Sequence, residues 1–271
     1  MFNLREISLF NIKLFVFIVG SFVGSFLNVC ISRLPEGKSI VSPRSHCPNC
    51  QKTILWYDNV PFLSYFILLG RCRYCGKKIS PRYFFVELLS ASIFLFFYMR
   101  YGVTTKFFIY TILFSSLLVA GFIDLKYQII PDVISVSGIV LGIFFSLLFP
   151  EIHKEVSVLP ALKKSFLGLI VGGGMIWLIG FLGKLVFKKE AMGFGDVKLM
   201  AMLGAFLGAE KIVLTFFIAP FFGLIFGIIS LMKTKSHYIP YGPFLILGGF
   251  ITLVWGENIW LLITGYWLLG K

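Results

Sequence analysis

The chain has 271 residues, of which 58% are hydrophobic and only 14% are charged. Soluble domains are usually about 45–50% apolar and about 25% charged, so this composition excludes a water-soluble enzyme, a disordered chain and a secreted disulfide scaffold. A helix needs roughly 20 residues to cross a bilayer, so a chain of this length has room for several such helices. The sequence therefore predicts an all-α polytopic membrane protein.

Eight apolar stretches are long enough, or nearly long enough, to cross a membrane. They cover residues 14–31, 83–99, 107–123, 133–150, 165–183, 199–209, 212–232 and 243–270. The sixth stretch is short and the eighth is too long for one simple span, so the bounds of these two are the least defined. We expect about eight transmembrane helices, with a first helix in 1–32, a loop domain in 33–82 and a helical core in 83–271.

The charge distribution predicts which side of the membrane the loops occupy. The net charge is +13, and residues 33–82 alone hold nine basic residues and only two acidic ones. Because Lys and Arg collect in cytoplasmic loops, this loop is predicted to be cytoplasmic. Alternation then puts Lys126, Lys184, Lys189 and Lys235 on the same side. For a membrane protein, we interpret this charge as a sign of contact with membrane lipid and expect no nucleic-acid partner.

The chain also lacks the marks of a cleavable signal peptide. Its first apolar run has no small-residue cleavage site after a basic region, and it continues to full span length. We therefore expect this run to remain as the first transmembrane helix.

Four of the five cysteines form two C-x-x-C pairs with 21 residues between them: Cys47, Cys50, Cys72 and Cys75. Two such knuckles are a strong signal for a tetrahedral zinc site. The loop has few aliphatic residues, so metal binding would supply stability that a small core cannot. A dithiol redox centre and four unrelated thiols remain the alternatives. We expect His46 to lie outside the ligand shell and Cys30 to serve in packing.

The chain has only four aspartates, and three of them lie where predicted helices meet the cytoplasmic face. Asp124 closes the third span, Asp132 opens the fourth and Asp196 opens the sixth. Acidic groups at this depth are costly and suggest function. Two facing carboxylates that share a proton can activate water for attack on an amide. The structural alternative is an ordinary helix N-cap, which suits Asp132 well and Asp196 in part.

Two further acidic residues have open interpretations. Asp58 lies in the Trp56–Asn59 segment of the loop and fits a turn. Glu87 follows Arg82 by about one helical turn, which favours an interfacial ion pair over a contact with substrate.

Several motifs together resemble those of a known family. They are Gly24-Ser-Phe-Leu-Asn-Val29 with Arg33-Leu-Pro35, the two cysteine knuckles, Trp56-Tyr-Asp-Asn59 with Pro61 and Ser64-Tyr65, Ile79-Ser-Pro-Arg-Tyr83 with Glu87, Ile123-Asp124, Ile130-Pro-Asp132 and Gly193-Phe-Gly-Asp-Val-Lys-Leu199. In this order they resemble the bacterial type IV prepilin peptidases, which are GxGD-type intramembrane aspartic proteases. The resemblance extends from about residue 20 to about residue 210.

The resemblance implies a function and a location. It implies cleavage of the leader peptides of type IV prepilins and secretion pseudopilins, with Asp124 and Asp196 as the catalytic pair. It also implies N-methylation of the new N-terminus with S-adenosylmethionine, because the four-cysteine loop is typical of bifunctional members. The expected location is the bacterial cytoplasmic (inner) membrane, with the active site on the cytoplasmic side. No motif assigns the methyl-donor residues or an oligomeric state.

Two functions of other classes are also compatible with parts of the sequence. A membrane thiol-disulfide oxidoreductase would use the cysteine pairs and dispense with the aspartates. A transporter with acidic gating residues would show ion flux and no proteolysis.

Overall fold

The computed structural model of the chain describes residues 4–188, 192–234 and 240–269. Nine α-helices occur in these ranges: α1 (Leu4–Arg33), α2 (Leu63–Ile67), α3 (Arg82–Tyr101), α4 (Thr105–Tyr127), α5 (Asp132–Leu148), α6 (Val158–Phe187), α7 (Phe194–Leu207), α8 (Ala209–Thr234) and α9 (Gly242–Leu269). Lys189 and Lys235, which the orientation prediction used, lie outside the described residues.

Among the described residues, six helices are long and apolar enough to cross a membrane, namely α1, α3, α4, α6, α8 and α9. The prediction of an all-α polytopic membrane protein is therefore confirmed. The other two predicted spans are also helical but shorter, since α5 has 17 residues and α7 has 14.

The chain divides into two compact units, Met1–Val119 and Ala120–Lys271. In the first unit, α1 packs along α3, and polar side chains link the two helices. Ser90 Oγ donates to the Gly20 carbonyl over 2.8 Å, and the Asn28 amide donates to the Tyr83 carbonyl over 3.0 Å. These bonds satisfy buried backbone and side-chain groups, so they fix how the first helix meets the end of the cysteine loop.

The second unit is built around α7, in which every residue from Leu199 to Leu207 is buried. It packs against α6 so closely that a Cβ on Gly204 would lie 2.0 Å from the Gly168 carbonyl oxygen. Small residues allow this backbone approach, which drives helix association in lipid. The short helix is therefore held by packing on several sides, and its N-terminal end has a fixed position in the unit.

A polar cluster lies at the C-terminal end of α7, around His153. The buried His153 ring bonds Ser146 Oγ through Nε2 over 2.9 Å. Burial first, and then the charge of Lys164, lower the pKa of His153 to about 4. Nearby, Glu257 of α9 pairs with Lys154 over 2.5 Å and with Lys211 over 3.5 Å. These contacts tie the α5–α6 connection to α8 and α9.

Candidate active site and metal centre

Asp124 and Asp196 lie at helix ends within the second unit. Asp124 is in the last turn of α4, where it is only 5% exposed. Asp196 is the third residue of α7, and its backbone N–H donates to the carbonyl of the N-cap residue Gly193 over 3.1 Å. The two aspartates lie on either side of Ile130, which packs against Gly195 next to Asp196 and against Gly242, whose N–H bonds Asp124. Folding thus brings together the two aspartates that sequence analysis selected.

The turn that opens α9 holds Asp124, and sequence analysis did not find it. The backbone N–H of Gly242 donates to Asp124 Oδ2 over 3.0 Å in a buried bond. A Cβ at residue 242 would lie 2.8 Å from the same oxygen, so only glycine fits this approach without movement. The signal in the sequence is a glycine between two prolines, Pro240 and Pro243, at the start of an apolar span.

Tyr241 and Ile130 complete the surroundings of the pair. Burial first, and then the charge of Asp196, raise the pKa of Tyr241 to about 12, so the phenol remains protonated and faces the acidic site. Added Cβ atoms on Gly195 and Gly242 would meet Ile130 at 3.1 and 3.3 Å. Ile130 therefore packs against a glycine beside each aspartate, and it provides an apolar wall that strengthens electrostatic interactions at the pair.

The predicted capping role of Asp132 is wrong. Pro131 is the N-cap of α5, and no side-chain hydrogen bond caps the helix. The Asp132 carboxylate instead accepts from Lys198 Nζ over 2.6 Å, and its side chain is 66% exposed. An exposed carboxylate that pairs with a lysine has neither the shielding from solvent nor the acidic neighbour of the other two aspartates.

Asp58 and Glu87 both form hydrogen bonds within the first unit. Asp58 accepts two bonds from the Arg73 guanidinium, of 2.8 and 2.6 Å, which link the Trp56–Asn59 turn to the second knuckle. The expected Arg82–Glu87 ion pair does not form. Glu87 is buried and accepts the backbone N–H of Phe62 over 3.0 Å. Glu87 thus holds a loop residue with a positive φ of 61° against α3.

The four knuckle cysteines form a cluster with the geometry of a metal site. Their Sγ atoms all lie within 4.8 Å of one another, and the Cys47–Cys75 and Cys50–Cys72 separations are 3.8 and 4.0 Å. Four sulfurs about 2.3 Å from a tetrahedral ion are separated by roughly 3.8 Å, so the cluster fits one such ion. Backbone donation from Lys77 and the amide of Asn49 lower the pKa of Cys75 to about 6, which favours the thiolate that metals bind.

The two knuckles have the same pattern of backbone hydrogen bonds. In the first, Cys47 N–H bonds the Lys52 carbonyl and Gln51 N–H bonds the Cys47 carbonyl. In the second, Cys72 and Gly76 repeat both bonds. Gln51 and Gly76 occupy the same left-handed position, with φ of 57° and 67°. This local repeat, which sequence analysis did not find, presents two thiol groups from each knuckle. His46 lies outside the cluster and contacts the Arg44 carbonyl.

Comparisons with known proteins bear on both units. The family model described as the bacterial peptidase A24 N-terminal domain matches residues 18–101, and the type IV leader peptidase family model matches residues 111–228. The motif resemblance is therefore confirmed. The first matched range contains the cysteine cluster, and the second contains both aspartates of the pair.

Curated relatives carry names of one kind. A prepilin leader peptidase/N-methyltransferase of Myxococcus xanthus is 40% identical over 81% of this chain and 63% of its own length. One from Pseudomonas aeruginosa is 33% identical over 89% of this chain and 90% of its own. An enzyme of Escherichia coli named type 4 prepilin-like proteins leader peptide-processing enzyme is 36% identical over 86% of this chain and 90% of its own length. No solved structure matches the chain.

Proposed function

Because the chain belongs to the type IV leader peptidase family, we propose that it is a membrane aspartic endopeptidase with Asp124 and Asp196 as its catalytic pair. Its substrates are type IV prepilins and pseudopilins, whose leader peptides it removes. The observation that carries the assignment is the position of these two carboxylates, one buried and one half-buried, at the ends of α4 and α7 on either side of Ile130. The rival oxidoreductase interpretation gives no role to this pairing, and the family match supports a peptidase rather than a transporter.

The mechanism follows from two carboxylates that share one proton. The ionised carboxylate takes a proton from water, whose oxygen attacks the scissile carbonyl carbon. The protonated carboxyl gives its proton to the carbonyl oxygen, which forms a tetrahedral diol. When the C–N bond breaks, the amine nitrogen takes the proton now held by the first carboxylate, and the second carboxylate recovers its proton from the diol. The pair returns to its starting state.

The membrane face is part of the proposal. A prepilin carries a short basic leader before an apolar helix, so the bond to be cut lies where the helix leaves the bilayer. The positive-inside bias of the loops supports a location of the pair at the cytoplasmic face of the inner membrane. Water is present there, unlike at the bilayer centre.

The second activity is N-methylation of the new pilin N-terminus with S-adenosylmethionine as methyl donor. The names of the Myxococcus and Pseudomonas relatives support it, as does the presence of the four-cysteine loop. The loop metal is one structural zinc per chain, held by Cys47, Cys50, Cys72 and Cys75. The thiol separations support four-coordinate zinc with no open position for catalysis.

Isosteric substitutions test the catalytic pair. We expect Asp124→Asn and Asp196→Asn each to lower cleavage of a purified prepilin by at least about 1,000-fold, because either change removes the shared proton. Methylation of an already cleaved pilin should persist in both variants. Mass spectrometry of the pilin reports leader loss and methyl gain in one sample.

Asp132→Asn is the matched control, since it changes the third interfacial aspartate. Its partner Lys198 is outside the pair, so cleavage should stay within about twofold of wild type. If Asp132→Asn abolishes cleavage while Asp124→Asn cleaves normally, the assignment of Asp124 is wrong.

A further inference from the structure

A cavity of about 570 Å³ lies in the first unit between α1 and the cysteine loop. Its walls come from one face of α1 and from two loop segments, 40–45 and 54–60. Its volume is within the usual range for small-molecule sites, about 300–1,000 Å³. The leader peptidase mechanism uses none of these residues.

The sequence motifs that the peptidase site leaves unused meet at this cavity. Ser25 and Val29 come from the first motif, Arg33 from the second, and Trp56 and Asn59 from the third. Arg33 is buried and donates to the carbonyls of Ser39 and Pro43, so it fixes the loop wall. Three motifs that are separate in sequence thus build one concave surface.

The cavity also presents groups that have no partner within the described residues. Neither the Arg44 guanidinium nor the Asn59 side-chain amide forms a hydrogen bond or ion pair with a described residue. The Trp56 ring is 74% exposed and contacts Tyr57 edge-on. A cationic hydrogen-bond donor, a side-chain amide and an exposed aromatic ring are therefore available to a ligand.

These groups fit the chemical parts of S-adenosylmethionine. A guanidinium pairs with a carboxylate in a bidentate manner. An aromatic face attracts a cation such as a sulfonium and stacks on a purine base. An amide offers both a donor and an acceptor to adenine or ribose. The apolar and half-exposed side chains of Phe22 and Phe26 form the other wall.

We infer that this cavity is the methyl-donor site, with Arg44 at the donor carboxylate, Trp56 at the sulfonium and adenine, and Asn59 at the nucleoside. The inference rests on the proposed methylation. The donor supplies an electrophilic methyl group. The pilin amine nitrogen forms the new C–N bond with its lone pair while the C–S bond breaks, the electron pair of that bond stays on sulfur, and the nitrogen releases one proton to water.

Direct binding measurements on the full-length protein in lipid nanodiscs test the site. We expect Arg44→Gln and Trp56→Ala to weaken binding of S-adenosylmethionine, measured by calorimetry, by at least about tenfold. Arg71→Gln is the control, because Arg71 is an exposed arginine of the same loop that does not line the cavity. It should bind the donor as wild type does. Cleavage and zinc content should stay unchanged in all three variants, which shows that the loop is folded.

Three outcomes contradict the inference or its premise in distinguishable ways. Wild-type affinity in both cavity variants would put the donor elsewhere. Loss of a tightly retained phospholipid in these variants, with unchanged donor binding, would assign the cavity to lipid. If the wild-type protein neither binds the donor nor methylates pilin, the proposed methylation is wrong. The cleavage assay tests the proposed peptidase activity independently of that result.

Discussion

The cysteine cluster and the aspartate pair are both polar sites, but the protein builds them in opposite ways. The cysteine cluster is built from two local turns of six residues each, Cys47–Lys52 and Cys72–Lys77, and its four thiols could hold a metal ion. The aspartate pair lies at the ends of helices that are already packed, and a backbone amide of a third helix holds Asp124. The proposed metal stabilises the first site, whereas the surrounding helices stabilise the second.

This difference indicates where each activity is vulnerable. A loop with a small core loses its structure when its metal is removed, because metal binding contributes to folding itself. A carboxylate held by helix packing is insensitive to chelators but sensitive to displacements of less than about 1 Å. Perturbations of the two sites should therefore separate the two activities.

The largest effect should come from removing a metal ligand. We expect Cys47→Ser to lose its zinc and to lower methyl transfer to background, while cleavage falls less than about tenfold. Metal analysis and mass spectrometry of the pilin measure both results. Cys30→Ala, which changes the buried cysteine of α1 outside the cluster, should keep the metal. Equal loss of cleavage and methyl transfer in Cys47→Ser would contradict the separation.

The second effect concerns the stability of the second unit, which contains the aspartate pair and not the cysteine cluster. In the folded protein His153 resists protonation, because its pKa is lowered from 6.5 to about 4. The unfolded chain therefore binds a proton between these values that the folded chain does not, so stability falls as the pH falls from 6.5 to 4. The loss is about 3 kcal/mol at most.

Thermal unfolding at several pH values measures this loss. His153→Asn removes the titrating ring, so its unfolding temperature should decline less steeply over this pH range than that of wild type. The neighbouring charges of Lys164, Lys211 and Glu155 remain in the variant and act as the internal reference. Identical pH slopes in the two proteins would show that His153 does not control acid stability.

The third effect sharpens the description of the aspartate pair. Gly242→Ala keeps the backbone N–H but puts a Cβ 2.8 Å from Asp124 Oδ2, so the carboxylate must move. We expect kcat for cleavage to fall about 100-fold with KM nearly unchanged. Gly174→Ala in α6 is the control, because an added Cβ there meets nothing within 4 Å. A comparable loss of kcat in both variants would indicate a general effect on helix packing.

The sequence predicted features that depend on residue type and spacing. The cysteine pairs, the helical structure of the eight apolar stretches and the closeness of Asp124 and Asp196 all follow from short patterns and from apolar runs. The contact between Gly242 and Asp124 could not be predicted, since a backbone amide carries no residue-specific signal and its partner is remote in the chain.

Side-chain partners were harder to predict than positions. Asp132 opens α5 as expected, but Lys198 of α7 competes for its carboxylate, and an ion pair replaced the expected cap. Glu87 was expected to pair with Arg82, yet burial put it within reach of the Phe62 amide. In both cases a tertiary contact replaced the local one that the sequence suggested.

The 14 residues of α7 have a consequence for the membrane itself. At 1.5 Å per residue the helix is about 21 Å long, whereas the hydrocarbon core of a bilayer is about 30 Å thick. A short helix is accommodated when the lipid around it thins or when its ends lie below the headgroups. Asp196 is in the first turn of this helix, and the residues from Leu199 to Leu207 are buried by neighbouring helices rather than exposed to lipid. A helix of this length that lies along the bilayer normal therefore leaves part of the hydrocarbon thickness unspanned, at one end or at both.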